Sequence, residues 1–364
     1  MPQVPPKQSK RIVSVQVCRG LAALFVVLAH LHGIEIKYCT TNYLLFFEHG
    51  ALGVDLFFVI SGIVIASVTT GKFGDPRNAG IFLYHRLARI FPVFWIYTTF
   101  TLIARRYNPL GTGANPGQPV NLLSSYLLIP THLPMLLLQG WTLSYELYFY
   151  FATFLFLMLV PQRATVWLFA LWGVAVVALK LHIGLSPYPV VQLLISPSVL
   201  EFLCGYVIFY IYCRSRLHRA AGILFLLAAL LWLAAILAYS FHVHSGQVAW
   251  ITDAPWPRVL LYGLFADLFL LGTIELERTD LIHYFPFLKS IGDWSYSIYL
   301  SHVLVLELIA RLAYHVIPYH YDDFIFIIAL IGLPSTVFAG YLSYAYLERP
   351  LITHLYKSGP KLGS

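Results

Sequence analysis

The sequence predicts an all-α polytopic membrane protein, about ten transmembrane helices in one bundle, and three observations predict it. The chain is 59% hydrophobic and only 11% charged, with a mean hydropathy of +0.75, whereas soluble domains carry roughly 25% charged residues. Apolar stretches close to the ~20 residues needed to cross a hydrocarbon layer recur along almost its whole length. Its basic residues sit in short runs between those stretches, alternately rich and poor, which is how membrane topology is written.

The net charge of +7 therefore gives no reason to expect nucleic acid as a partner, because no soluble module carries it. Cys18, Cys39, Cys204 and Cys213 show no CxxC pairing, so neither a disulfide framework nor a metal site is expected. The first apolar helix follows Lys7, Lys10 and Arg11 as a signal sequence would. No small-x-small cleavage site follows it and Arg19 lies within it, so it is expected to remain as an uncleaved span.

Ten spans are expected, at about 12–31, 51–69, 87–104, 141–160, 164–182, 191–212, 220–240, 258–275, 292–314 and 324–347. The third is the weakest, since Pro92 lies inside it. Counting Lys and Arg in the connections places sixteen on the side of the N-terminus and five on the other, with Arg19 and Arg311 inside spans. That bias puts both termini in the cytoplasm and favours an even number of spans. Between Arg105 and Gly140 the run NPLGTGANPGQP precedes LLSSYLLIP, a pattern that suits either a lid or re-entrant piece over an external cavity or a disordered loop.

The chain is organised around residues 19–62, which hold an arginine, a histidine and an aspartate in or beside lipid. Charges at membrane depth cost about 2.5–3.5 kcal/mol on insertion scales and so point to function. Arg19 and His30 are eleven residues apart, three helical turns, on one face and ~16 Å apart along the axis. Asp55 enters the second span at a depth similar to His30, where a carboxylate beside an imidazole would fix its tautomer and support a general base. The ordinary alternatives are an interfacial His30, a snorkelling Arg19 and an Asp55 favoured by the helix dipole. Arg86 and Arg89, in YHRLARIFP, form an i, i+3 pair suited to forked phosphate contacts, or to topological anchoring. Glu146, in QGWTLSYELYFY, either pairs with a base, binds an acceptor hydroxyl, or pairs structurally with Arg105 or Arg106. His302, ending IGDWSYSIYLSH, reads alone as a satisfied bundle residue, and Glu201, Asp267, Arg311 and Glu348 as interhelical pairs.

Together RGLAALFVVLAH, GALGVDLFFVISGIVI, YHRLARIFP, WTLSYELYFY, GDWSYSIYLSH and YLERPL resemble the acyltransferase-3 family of integral-membrane acyltransferases, and most of all its exopolysaccharide O-acetyltransferases. The resemblance implies a membrane acyltransferase domain at 12–350 between cytoplasmic tails at 1–11 and 351–364, in the bacterial inner (cell) membrane. It implies His30 as the catalytic histidine, with Asp55 and Glu146 linked to the site, and Arg86 and Arg89 as contacts to an acyl-CoA donor, with Arg19 beside them. Acetyl-CoA is then the expected donor substrate, with no metal, and a polysaccharide or lipid-linked sugar the acceptor, in company with polysaccharide-synthesis machinery. One departure is visible: where the family often has two adjacent glycines before the second span, this chain has Gly50, Ala51, Leu52 and Gly53. The reading from another class is a transporter or flippase for a glycan precursor, whose intramembrane charges would mark a substrate path. A structural subunit of an export complex is a third.

Overall fold

A computed structural model describes residues 12–39, 42–107, 118–215, 217–243, 255–284, 286–316 and 324–360. The described secondary structure is helical, with no strand among the described residues. Among the described residues, ten helices are long and apolar enough to cross a membrane: Val13–Tyr38, Leu45–Thr69, Pro76–Tyr107, Gly140–Leu159, Gln162–Ile183, Pro189–Arg214, Arg219–Phe241, Pro255–Arg278, Pro286–Val316 and Phe324–Ser358. They are called the first to tenth spans below, and they match the ten expected from hydropathy.

Several are longer than expected, because hydropathy registers only the apolar middle of a helix. The third begins at Pro76 and runs unbroken through Pro92. Proline is tolerated within a membrane span because neighbouring groups re-satisfy the backbone it frees. In the tenth, a wide π-helical turn at Tyr344–Glu348 leads into a helix at Arg349–Ser358, which the sequence reading treats as tail. A second π turn, Val259–Gly263, lies in the eighth span. Such turns often mark functional sites.

The bundle centres on the first and second spans. The first packs along the ninth, the ninth along the tenth, the second on the sixth, the third on the fourth, and the seventh on the eighth. Two free backbone N–H groups opening the first span, at Val13 and Ser14, donate to the Glu277 carboxylate at 2.8 and 2.6 Å, so a residue of the eighth span caps it. By contrast, Trp167, Leu171, Leu224 and Leu231 of the fifth and seventh spans stand exposed as a face for lipid.

With lipid tails as apolar as leucine, helices associate by close packing at small residues. A Cβ on Gly62 would lie 2.1 Å from the Phe202 carbonyl oxygen, and one on Gly205 2.0 Å from that of Val59. The departure at Gly50 and Gly53 does not loosen the approach of the first two spans, since a Cβ on Gly53 would fall 2.3 Å from the Ala22 carbonyl oxygen.

The LLSSYLLIP stretch forms a short helix at Leu122–Leu127, capped by Asn121 and fastened to the third span by a bond from Trp95 Nε1 to the Tyr126 carbonyl, 2.9 Å. Most of NPLGTGANPGQP, residues 108–117, lies outside the described residues.

Because the Gly62–Gly205 contact is backbone against backbone, Gly62→Leu forces the second and sixth spans apart. Overpacking costs about 1–3 kcal/mol in ordinary cores, and at least that is expected here, read as a lowered melting temperature in detergent. Leu231→Phe, at an exposed position, should leave it unmoved.

Candidate active site

A cavity of about 810 Å³ lies between the first, second, third, fourth, ninth and tenth spans. It gathers Arg19, Arg86, Arg89 and Glu146, four of the residues singled out in the sequence. Six basic side chains line it, Lys72, Lys289 and Arg349 joining the three arginines, against three acidic ones, Glu146, Asp293 and Glu348. None of the three arginines makes an ion pair among the described residues. Arg86 lies over the rings of Phe82 and Tyr150, 5.6 and 5.7 Å from their centroids, and its buried Nε has no hydrogen-bond partner there. Burial holds Lys72, in the connection after the second span, below the ordinary lysine range, so an arriving anion would be welcome beside it.

Glu146 accepts hydrogen bonds from Ser61, at 3.3 Å, and from Tyr150, in place of a pairing with Arg105 or Arg106. Glu348, brought in by the π turn, accepts from Ser297 at 2.7 Å. Both carboxylates lie close enough to Arg19 and Arg89 to interact with them electrostatically.

The cavity extends inward as far as Phe57, Thr142 and Tyr299. Tyr299 is held there by a 2.5 Å hydrogen bond between its hydroxyl and that of Thr142. His30 is not among the lining residues. It sits beyond Tyr299 and next to His302, the rings meeting edge to face with centroids 4.7 Å apart.

The expected contact between Asp55 and His30 is replaced by another. Asp55, fully buried, is gripped by Arg258 of the eighth span, whose Nε and Nη2 donate to its two carboxylate oxygens at 2.9 Å each. A guanidinium fork matches a carboxylate in charge and in shape, and a neutral imidazole matches it in neither. Trp141 closes over Arg258, its ring centroid 5.4 Å from the guanidinium carbon. Glu201 stands beside the pair against Gly263, where an added Cβ would come within 3.1 Å of its carboxylate. Of the other intramembrane charges, Arg311 pairs with Glu307, 2.8 Å away and one turn back, which also accepts from Lys37 and Tyr38.

Sequence reasoning missed Arg258, Lys72, Lys289 and Arg349 as site residues, because basic residues at span ends are what topology alone would place there.

Comparison with known proteins agrees with this architecture. A family model described as an acyltransferase domain, that of the acyltransferase-3 family, matches residues 12–345. The exopolysaccharide production protein ExoZ of Rhizobium meliloti (strain 1021) is 27% identical over 326 residues, covering 84% of this chain and 90% of that protein. An acyltransferase of Streptomyces mycarofaciens, MdmB, is 26% identical, covering 83% of this chain and 81% of its own. A Staphylococcus aureus (strain COL) protein named "Putative O-acetyltransferase" is 22% identical over 94% of this chain, and the match spans 58% of that longer protein. No solved structure matches. The chain belongs to the acyltransferase-3 family, and it is a multi-pass membrane O-acyltransferase.

The Asp55–Arg258 pair can be tested independently of that assignment. Removing one partner of a buried ion pair costs about 3–5 kcal/mol, because the other charge is stranded. Asp55→Ala and Arg258→Met should each destabilise the protein strongly, and the double variant much less than their sum, as measured by melting in detergent.

Proposed function

We propose that this chain moves an acyl group, acetyl before any other, from cytoplasmic acyl-CoA to a hydroxyl of an exopolysaccharide or other cell-surface glycan. It would act in the bacterial inner (cell) membrane, with both termini cytoplasmic and 12–350 as its membrane unit. The observation that carries this reading is the set of three arginines lining one cavity with no ion pair among the described residues. Uncompensated guanidiniums at membrane depth are costly, and a donor bearing a diphosphate and a further phosphate supplies the missing charge in forked contacts.

Arg86 and Arg89 hold the phosphates, and Arg19, nearer the interior, guides the arm that carries the thioester. Glu146 balances the charge beside the arginines. The ~16 Å helical rise from Arg19 to His30 is the length of an extended pantetheine arm to a first approximation. Since the lining ends at Phe57, Thr142 and Tyr299, the thioester reaches His30 by displacing those side chains.

His30 is the general base. It removes the acceptor's hydroxyl proton as the oxygen attacks the thioester carbonyl. The carbon–sulfur bond then breaks, and the departing thiolate takes the proton back from the ring. Asp55 acts at one remove, its bond to Arg258 fixing the second span against the eighth.

Loss of a general base typically costs 10²- to 10⁴-fold in rate. His30→Ala, present in membranes at normal levels, should therefore abolish O-acetylation of the cell's surface glycan by mass analysis, and near-normal acetylation would refute the assignment. Arg86→Ala and Arg89→Ala should each weaken acetyl-CoA binding to purified protein by about tenfold, the 1.4 kcal/mol expected of one charge-assisted contact, with melting unchanged. Unaltered donor affinity would return both arginines to topology. Acyl transfer by purified protein in detergent, with no gradient present, separates this reading from a transporter.

A further inference from the structure

The first and ninth spans run side by side, and their register is fixed twice below the site. Gln16 Nε2 donates to Asp293 at 2.8 Å, and a Cβ on Gly292 would lie 1.9 Å from the Gln16 carbonyl oxygen. A Cβ on Gly20 would lie 2.9 Å from the Gly292 nitrogen, and ten residues on along each helix His30 and His302 come together, with His302 Nε2 3.2 Å from His30 Nδ1. His302 is fully buried, and His30 only partly so.

The partners of each ring nitrogen assign its proton. His30 Nδ1 lies 2.9 Å from the Val26 carbonyl oxygen, which can only accept, so that nitrogen bears hydrogen. His302 Nδ1 lies 2.7 Å from the Tyr299 carbonyl oxygen, so it bears hydrogen too. A neutral His302 then has its lone pair on Nε2, so the one hydrogen of His30 Nδ1 is shared between the Val26 carbonyl at 2.9 Å and His302 Nε2 at 3.2 Å. His30 Nε2 makes no hydrogen bond among the described residues.

We propose that His302 is a positioning residue for acyl transfer: its Nε2 lone pair holds His30 with Nε2 free for the acceptor hydroxyl and shares the positive charge when that atom takes the proton. This rests on His30 being the general base. It fills the role expected of Asp55, whose oxygens Arg258 occupies. No group enters or leaves: the proton arrives at His30 Nε2 from the hydroxyl and departs to the thiolate, while the Nδ1 proton moves toward His302 and returns.

The test uses thiol release from acetyl-CoA by membranes that carry the native acceptor. His302→Leu should lower the maximal rate about tenfold to a hundredfold, the range expected for a lost hydrogen bond to a group that becomes charged. The KM for acetyl-CoA should stay within about twofold. His302→Gln, whose Oε1 stands close to the place of Nε2, should recover most of the rate. Full activity in His302→Leu with none in His30→Ala overturns this inference alone, whereas full activity in both overturns the general-base reading beneath it. A Gln variant that melts normally but is as slow as Leu overturns it as well. Nitrogen-15 NMR of histidine-labelled wild-type protein gives a readout that needs no variant to fold: both rings should carry hydrogen on Nδ1 and none on Nε2, and a protonated His302 Nε2 would overturn the proposal.

Discussion

An ion inside a hydrocarbon layer must be paired or must face a polar cavity, because desolvating it alone costs several kcal/mol. Most of the charges in this bundle obey that constraint, while both oxygens of Glu201 and one of Asp267 are buried with no hydrogen-bond partner among the described residues. Asp55 takes Arg258, Glu307 takes Arg311 and Lys37, and Glu275 takes Arg278. Glu277 spends its charge on the N–H groups at the start of the first span. The carboxylates of Glu146 and Glu348 lie on the cavity wall with the arginines. Arg19, Arg86 and Arg89 make no ion pair among the described residues, and they share one enclosure with Lys72, Lys289 and Arg349. The placement of the site follows from where pairing stops.

That placement in turn governs which helices are central. The fifth and seventh spans are mostly exposed in their most apolar windows, only 22% and 17% buried, and they serve as a wall toward lipid. The second span is 67% buried and the sixth 61%, and glycines at their crossing let the backbones touch. Packing that tight leaves little freedom for the second span, which carries Asp55 and one side of the cavity. The π turn at Tyr344–Glu348 adds a residue to a helical turn and aims Glu348 at Ser297 and the cavity. In this way the tenth span contributes polar side chains to the site while its first half stays apolar.

The span count and the short motifs were legible because both are local. Twenty apolar residues announce a helix, and the R-x-x-R of the third span announces a pair on one face. Proline 92 suggested a break that neighbouring helices remove. What the sequence hides is which distant residues meet. Arg258 stands at a span end, where topology predicts a basic residue, so nothing marked it as the counter-ion of Asp55, 203 positions away. Lys72, Lys289 and Arg349 were hidden in the same manner, counted as anchors when they also line the cavity. Helical periodicity put Arg19 and His30 on one face, but it could not reveal that the cavity holds the first and stops short of the second.

The exchange of Asp55 for His302 beside His30 has a physical logic of its own. A carboxylate there would bring a second charge into a low-dielectric interior and would need a counter-ion, as Asp55 does where it stands. It would also favour a protonated His30 before any substrate arrived, and a protonated ring cannot act as a base. A neutral imidazole adds no net charge, yet it still accepts from His30 Nδ1 and can share a proton once transfer has begun. The two rings come from helices whose register is locked by close contacts at Gln16, Gly20 and Gly292, so their 3.2 Å separation depends on packing three turns away. In the role proposed for His30, a base tuned by a neutral neighbour would be as sensitive to the fit between the first and ninth spans as to the identity of either histidine.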